Sequence, residues 1–191
     1  MTSGGRARGR FVRHDLLTTD PDRAAAFFAK LFPEWTISDV AAGNRAYRGI
    51  EVSSHELAGI VPLDPAAGIA SHWLGYVSVD DCAATERAAV SAGGQCLVPT
   101  IDVVAVGRST VLQDPQGATI KPFEPARDVH LPEVPASGQF CWNELLTSDV
   151  SAARRFYQSL FGWAAIDRAV GSEGSYTLFR VADQDVAGVM S

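Results

Sequence analysis

A chain of 191 residues that is 47% hydrophobic and 20% charged has room for one or two domains with a conventional buried core. Its net charge of −6, with no Lys/Arg cluster after the first ten residues, argues against a nucleic-acid surface, and no stretch approaches the roughly 18 apolar residues that span a bilayer. A small organic ligand or a protein partner is what this balance predicts, with neither nucleic acid nor membrane. Three cysteines, Cys82, Cys96 and Cys141, form no CxxC spacing and predict reduced thiols in a cytoplasmic setting.

Residues 1–10 are basic, lack a following apolar segment and read as a flexible tail rather than a signal peptide. Phe11–Thr19 alternates as a strand does, and Asp20 can cap a helix whose Ala24, Phe27, Phe28 and Leu31 recur at i, i+3, i+4 and i+7. Strands are predicted at Thr36–Val40, Ala46–Val52 and Leu57–Pro62, divided by Ala-Gly-Asn and Ser-Ser-His turns. Residues 11–65 thus read β-α-β-β-β. Residues 70–125 repeat the order: a strand at His72–Val79, a helix capped by Asp81 and stopped by Gly93-Gly94, then strands at Gln95–Pro99, Arg108–Gln113 and Ala118–Phe123. Asp114-Pro115-Gln116-Gly117 makes a tight turn before the last of these. Residues 126–138 are a Pro-rich linker containing His130, and residues 139–191 hold a third unit with Asp149 as its cap and strands at Ala164–Arg168, Tyr176–Val181 and Val186–Met190.

The third unit is a copy of the first. Arg10–Ile37 returns as Gln139–Ile166 without a gap, at an offset of 129 residues, the interval from Phe11 to Phe140. Leu16/Leu145, Asp20/Asp149, Phe27/Phe156 and Phe32/Phe161 are among the identical pairs, and the register continues through Tyr47/Tyr176 and Gly59/Gly188.

The helix endings Leu31-Phe32 and Leu160-Phe161-Gly162-Trp163, the capping aspartates and the DPQG turn resemble the vicinal-oxygen-chelate superfamily of glyoxalase I, bleomycin-resistance proteins and extradiol dioxygenases. The resemblance implies a mixed α+β fold in which β-α-β-β-β units pair into an incomplete barrel: one glyoxalase-like domain over 11–125, and a third unit over 139–191 unpaired within the chain. It also implies either a fourth unit lost or homo-oligomer formation through the third.

Metal-dependent relatives of this kind carry a His on the first strand of a unit and a Glu on the last. Counting back seven residues from each cap reaches Arg13, Leu74 and Trp142, and counting forward seven from Asp114 reaches Lys121. None is a ligand, so no metal and no other cofactor is expected, a divalent ion remaining only as a minor alternative. His72 has the parity of Leu74 and Tyr76 and faces the expected pocket mouth, whereas His14 shares the helix-facing side with Leu16 and reads as a hydrogen-bonded core histidine. Glu56 reads as surface, and Tyr47 and Tyr176 as packing.

Parity instead directs Arg13, Asp15, Tyr76, Lys121, Trp142 and Glu144 inward. Arg13, Asp15 and Lys121 form either a charged floor for an oxygen-rich ligand or an internal ion-pair cluster, and Trp142 beside Glu144 makes an aromatic platform next to a carboxylate. The leading expectation is a metal-independent small-molecule binding protein. An enzyme is the alternative, a lyase, isomerase or oxygenase using a metal set with His72 or acid–base chemistry by Asp15 and Lys121; a protein-interaction module built on the open third unit is the remaining one.

Overall fold

Each of the three helices starts behind an aspartate whose carboxylate takes up one of the first free backbone N–H groups. Asp20 accepts from Arg23 N at 3.0 Å, Asp81 from Ala84 N at 2.8 Å and Asp149 from Ala152 N at 2.9 Å. The helices are α1 (Pro21–Leu31), α2 (Cys82–Ser91) and α3 (Val150–Phe161), as the sequence predicts. A computed structural model describes residues 7–42, 45–53, 55–103, 105–129, 131, 135–169 and 175–191. The expected turn residues Gly43, Asn44 and Ser54, the tail over 1–6 and the linker's His130 lie outside the described residues.

The strands are β1 (Phe11–Thr18), β2 (Thr36–Ala42), β3 (Arg45–Val52), β4 (His55–Pro62), β5 (His72–Ser78), β6 (Gln95–Val103), β7 (Gly107–Gln113), β8 (Thr119–Pro125), β9 (Glu144–Leu146), β10 (Ala164–Ala169), β11 (Ser175–Val181) and β12 (Gln184–Met190). Every repeat uses them alike: the last three form an antiparallel meander, and the first lies parallel to the last, giving the orders β2-β3-β4-β1, β6-β7-β8-β5 and β10-β11-β12-β9. This is the mixed α+β, glyoxalase-like fold. Strand β6 runs past the predicted end at Pro99 because register shifts at Cys96/Val98 and Val98/Ile101 absorb the proline on an edge strand, after which Ile101 pairs with Ser109.

The chain forms two compact units. The smaller comprises Arg13–Gly75 and Glu133–Cys141, the larger Met1–Val12, Tyr76–Pro132 and Trp142–Ser191. In the smaller, α1 lies on β2 and β4 over a core of Leu16, Trp35, Ile50, Ala58 and Ile60. In the larger, α2 and α3 pack together, and a single core runs from Val77 and Leu112 of repeat two to Phe156, Trp163 and Phe179 of repeat three.

That packing separates residues that the duplication makes equivalent. Phe156 on α3 is 2% exposed, while its counterpart Phe27 is 58% exposed and Leu31 53% exposed, contrary to the apolar face predicted for α1. The reason is that α3 touches both its own sheet and α2, whereas within the smaller unit α1 packs through Ala24, Ala25 and Phe28 against its sheet and, at Phe28, against Trp73, with no second helix over Phe27 among the described residues. Two further expectations are corrected. Ala7 to Arg10 are not free tail: Gly9, at φ +73°, donates its N–H to Ser78 O at 2.8 Å, and Ala7 is buried. The third unit, expected to run from Gln139, begins its first strand only at Glu144, because Phe140 packs into the smaller unit against Trp35, Trp73 and His14.

A candidate functional site on the sheet faces

Strand alternation sends Arg13 and Asp15 to the face of the smaller unit's sheet opposite Leu16, which enters the core. Arg13 Nε donates to Asp15 Oδ1 at 2.9 Å and Nη1 to Glu56 Oε1 at 2.5 Å, with the guanidinium 5.7 Å from the ring centre of Tyr47. Tyr47 Oη donates to the same Glu56 oxygen at 3.1 Å. Burial, and next the Glu56 charge, raise the Tyr47 pKa, so the phenol keeps its proton and acts as a donor. Asp15 is 6% exposed and lies opposite Gly59 across the parallel β1–β4 pair. A side chain there would collide with the cluster: a Cβ on Gly59 would stand 2.7 Å from Asp15 Oδ1 and 2.8 Å from Arg13 Nη2. Glu56 is exposed, as read from sequence, and together with Tyr47, read as packing, it belongs to the polar cluster. The recurrence of tyrosine at the 129-residue offset is a signal for Tyr47 and Tyr176 alone.

In the larger unit the position opposite Tyr76 is Lys121, and its Nζ donates to Tyr76 Oη at 2.7 Å. Repeat three has Glu144 opposite Gly188. There Trp142 Nε1 donates to Tyr176 Oη at 2.9 Å and approaches Glu144 Oε2 at 3.1 Å, and Tyr176 Oη donates to that oxygen at 3.0 Å. A Cβ on Gly188 would overlap Tyr176 Oη. Tyr176, like Tyr47, is therefore part of a polar cluster and not packing. Burial raises its pKa first, with the Glu144 charge adding to it.

The register makes Asp15, Tyr76 and Glu144 equivalent, and likewise Gly59, Lys121 and Gly188. The first-strand positions two residues earlier hold Arg13, Leu74 and Trp142. Expected partners thus fall into three groups: Arg13 with Asp15, Tyr76 with Lys121, and Trp142 with Glu144. His72 joins none of them; its Nδ1 lies 2.9 Å from Ala70 O. His14 is buried and stacks on Phe140 at 4.0 Å. Among the described residues no group of three or more His, Cys, Asp or Glu side chains could hold a metal ion. A cavity of about 450 Å³ in the larger unit, between Ala7, Asp80, Glu124 and Arg127, contains none of the anticipated residues.

No protein-family model matches the chain. It is 31% identical over 180 residues to "Putative glyoxylase CFP32" of Mycobacterium tuberculosis, an alignment covering 92% of this chain and 69% of that protein. It is 29% identical to the anthracycline biosynthesis protein DnrV of Streptomyces peucetius, covering 91% of this chain and 68% of that one. Its fold matches the Mn(II)-bound glyoxalase of Novosphingobium aromaticivorans with a TM-score of 0.66 at 11% identity, covering 97% of this chain and 62% of that one. The 2,2',3-trihydroxybiphenyl 1,2-dioxygenase of Sphingomonas wittichii gives a TM-score of 0.67 at 11% identity, over 95% of this chain and 67% of that one. The chain belongs to the vicinal-oxygen-chelate superfamily, and it spans about two thirds of the length of these relatives. Among the described residues no helix is long and apolar enough to cross a membrane.

Proposed function

We propose that this chain is a small-molecule binding protein of the glyoxalase and bleomycin-resistance type that holds its ligand without the superfamily's metal. The observation that carries this reading is the set of residues at the six positions where the resemblance places the His and Glu of metal-dependent relatives: Arg13, Leu74 and Trp142 on the first strands, and Gly59, Lys121 and Gly188 on the last strands, opposite Asp15, Tyr76 and Glu144. Two are cations, three are apolar or lack a side chain, and an indole has no lone pair to give. That donor set does not fit a divalent ion. What the ion would supply, positive charge for ligand oxygens, fits the chemistry of Arg13 in the smaller unit, whose guanidinium is aligned by Asp15 and Glu56, and, taken by itself, that of Lys121 beside Tyr76 in the larger.

Catechol, the compound class in the name of one structural neighbour, is a suitable first probe. Calorimetric titration should give binding that a chelator leaves unchanged and that Asp15→Ala abolishes, with the circular dichroism spectrum preserved. Binding that requires added metal, or that survives Asp15→Ala, contradicts the reading.

The alternative, an acid–base enzyme, draws support from the Lys121 Nζ to Tyr76 Oη contact of 2.7 Å, which supplies an ammonium and a phenol in proton-transfer range. Lys121→Met would then stop turnover of methylglyoxal with glutathione. Turnover unaffected by that change removes this alternative.

A further inference from the structure

We propose that the open face of repeat three is a second binding site, specific for a hydrophobic organic cation. The residues that would hold this ligand, Trp142, Glu144 and Tyr176, are not those to which the reading above gives that role, Arg13, Asp15 and Lys121, so either can fail alone. The 129-residue offset puts Trp142 where repeat one has Arg13, Glu144 where it has Asp15, and Tyr176 where it has Tyr47. The frame is kept but the charge is changed. In repeat one a guanidinium stands on the carboxylate at 2.9 Å. In repeat three that guanidinium is replaced by an indole.

The consequence follows from the hydrogen bonds. Trp142 Nε1 and Tyr176 Oη are both neutral donors, and both converge on Glu144 Oε2. Being neutral, such donors do not cancel the charge of the carboxylate. Among the described residues no cation stands within ion-pair distance of Glu144, Arg168 included, although Arg168 pairs with Tyr176 across β10–β11. The described hydrogen bonds leave Oε1 open. Around this charge the face is apolar. The pairs Glu144/Gly188 and Leu146/Met190 lie side by side on one side of the β9–β12 ladder, since residues two apart on a strand share a face. Leu146 is 72% exposed, Met190 41% and Trp142 36%. An uncompensated carboxylate bordered by an indole, a thioether and an isobutyl group fits a ligand with an ammonium head and an apolar body.

Benzyltrimethylammonium is the probe, followed by the indole N–H resonances of the intact chain, with Trp142 assigned by Trp142→Phe. The cation should shift the Trp142 resonance saturably while those of Trp35, Trp73 and Trp163 stay in place and report an unchanged fold. Glu144→Gln, which keeps the acceptor and removes the charge, should weaken binding about tenfold or more. Benzenesulfonate, an apolar body with the opposite charge, should leave the resonance where it is. The proposal is overturned by no response to the cation at millimolar concentration, by an equal response to benzenesulfonate, or by unweakened binding in Glu144→Gln. It is equally overturned if the Trp142 resonance moves with protein concentration alone, which would assign the face to a second copy of the chain.

Discussion

Trp163 donates its indole N–H to the backbone oxygen of Gly9 at 2.7 Å, inside the larger unit. In the smaller unit Trp35, which stands one residue out of the 129-residue register with Trp163, donates to Gly138 O at 2.8 Å. Gly9 and Gly138 stand at the 129-residue offset. Beyond each glycine the equivalent phenylalanines follow suit, Phe11 near Trp163 at 6.0 Å and Phe140 near Trp35 at 6.4 Å. The segment leading into repeat one is thus anchored on a tryptophan of repeat three, and the segment leading into repeat three on a tryptophan of repeat one.

Trp163→Phe keeps most of the ring volume and removes the donor. With Gly9 O left unsatisfied beside a buried ring, the variant should lose about 1–3 kcal/mol of stability in urea unfolding. Trp35→Phe should cost a similar amount. If neither changes the midpoint, these anchors do not hold the leading segments.

Gly59→Ala tests the close approach that the polar cluster needs. The added methyl meets two side-chain atoms of the Arg13–Asp15 pair at 2.7 and 2.8 Å, so it should cost roughly 1–3 kcal/mol and weaken catechol binding as well. Wild-type stability and affinity in this variant would show that the pair yields without consequence.

Repeat three is fastened to repeat two by the DPQG turn. Asp114 Oδ1 accepts from Gln116 N and Ala118 N, both at 2.9 Å, and its Oδ2 accepts from the buried Tyr157 phenol at 3.1 Å. Burial, and then Asp114, push the Tyr157 pKa far above its ordinary value. The Gln116 amide reaches across to donate to Asp149 O and accept from Asp149 N, both at 2.9 Å. Tyr157→Phe leaves a buried carboxylate oxygen without its donor and should cost about 1–3 kcal/mol, with Gln116→Ala costing less. A Tyr157→Phe variant as stable as the wild type would refute that role.

Thiol chemistry should separate the cysteines. Burial, as the main cause, pushes the Cys82 thiol from 9.0 up to about 11, while Cys141 is exposed. At pH 8 a disulfide reagent should modify Cys141 rapidly and Cys82 only on unfolding. The Cys82 pKa is higher folded than unfolded, so its contribution to stability is complete below about pH 9 and is lost as pH rises through about 11. Rapid labelling of Cys82 in the native protein would contradict this.

The repeat, the capping aspartates and the meander order were legible because each rests on local chemistry or on an offset that can be counted. Strand parity likewise placed Arg13 with Asp15, and Trp142 with Glu144. What stayed hidden depends on partners far apart in the chain. Nothing local tells that Phe27 is exposed while the equivalent Phe156 is core; α2, lying against α3, decides it. Glu56 is at the surface as expected, but its pairing with Arg13, 43 residues away, was not legible. In the reciprocal tryptophan anchors Gly9 and Gly138 keep the offset of the duplication, but Trp35 and Trp163 miss it by one residue, which hides the relation in the sequence.

The most direct test of the metal-free account is the metal content of the protein, purified without chelator or affinity metal and measured by elemental analysis. Arg13, Lys121 and the paired glycines predict far less than one ion of zinc, nickel, iron or manganese per chain, before and after soaking. A stoichiometric ion, lost together with ligand binding on chelation, would contradict it and make the chain a metal-dependent member of its superfamily.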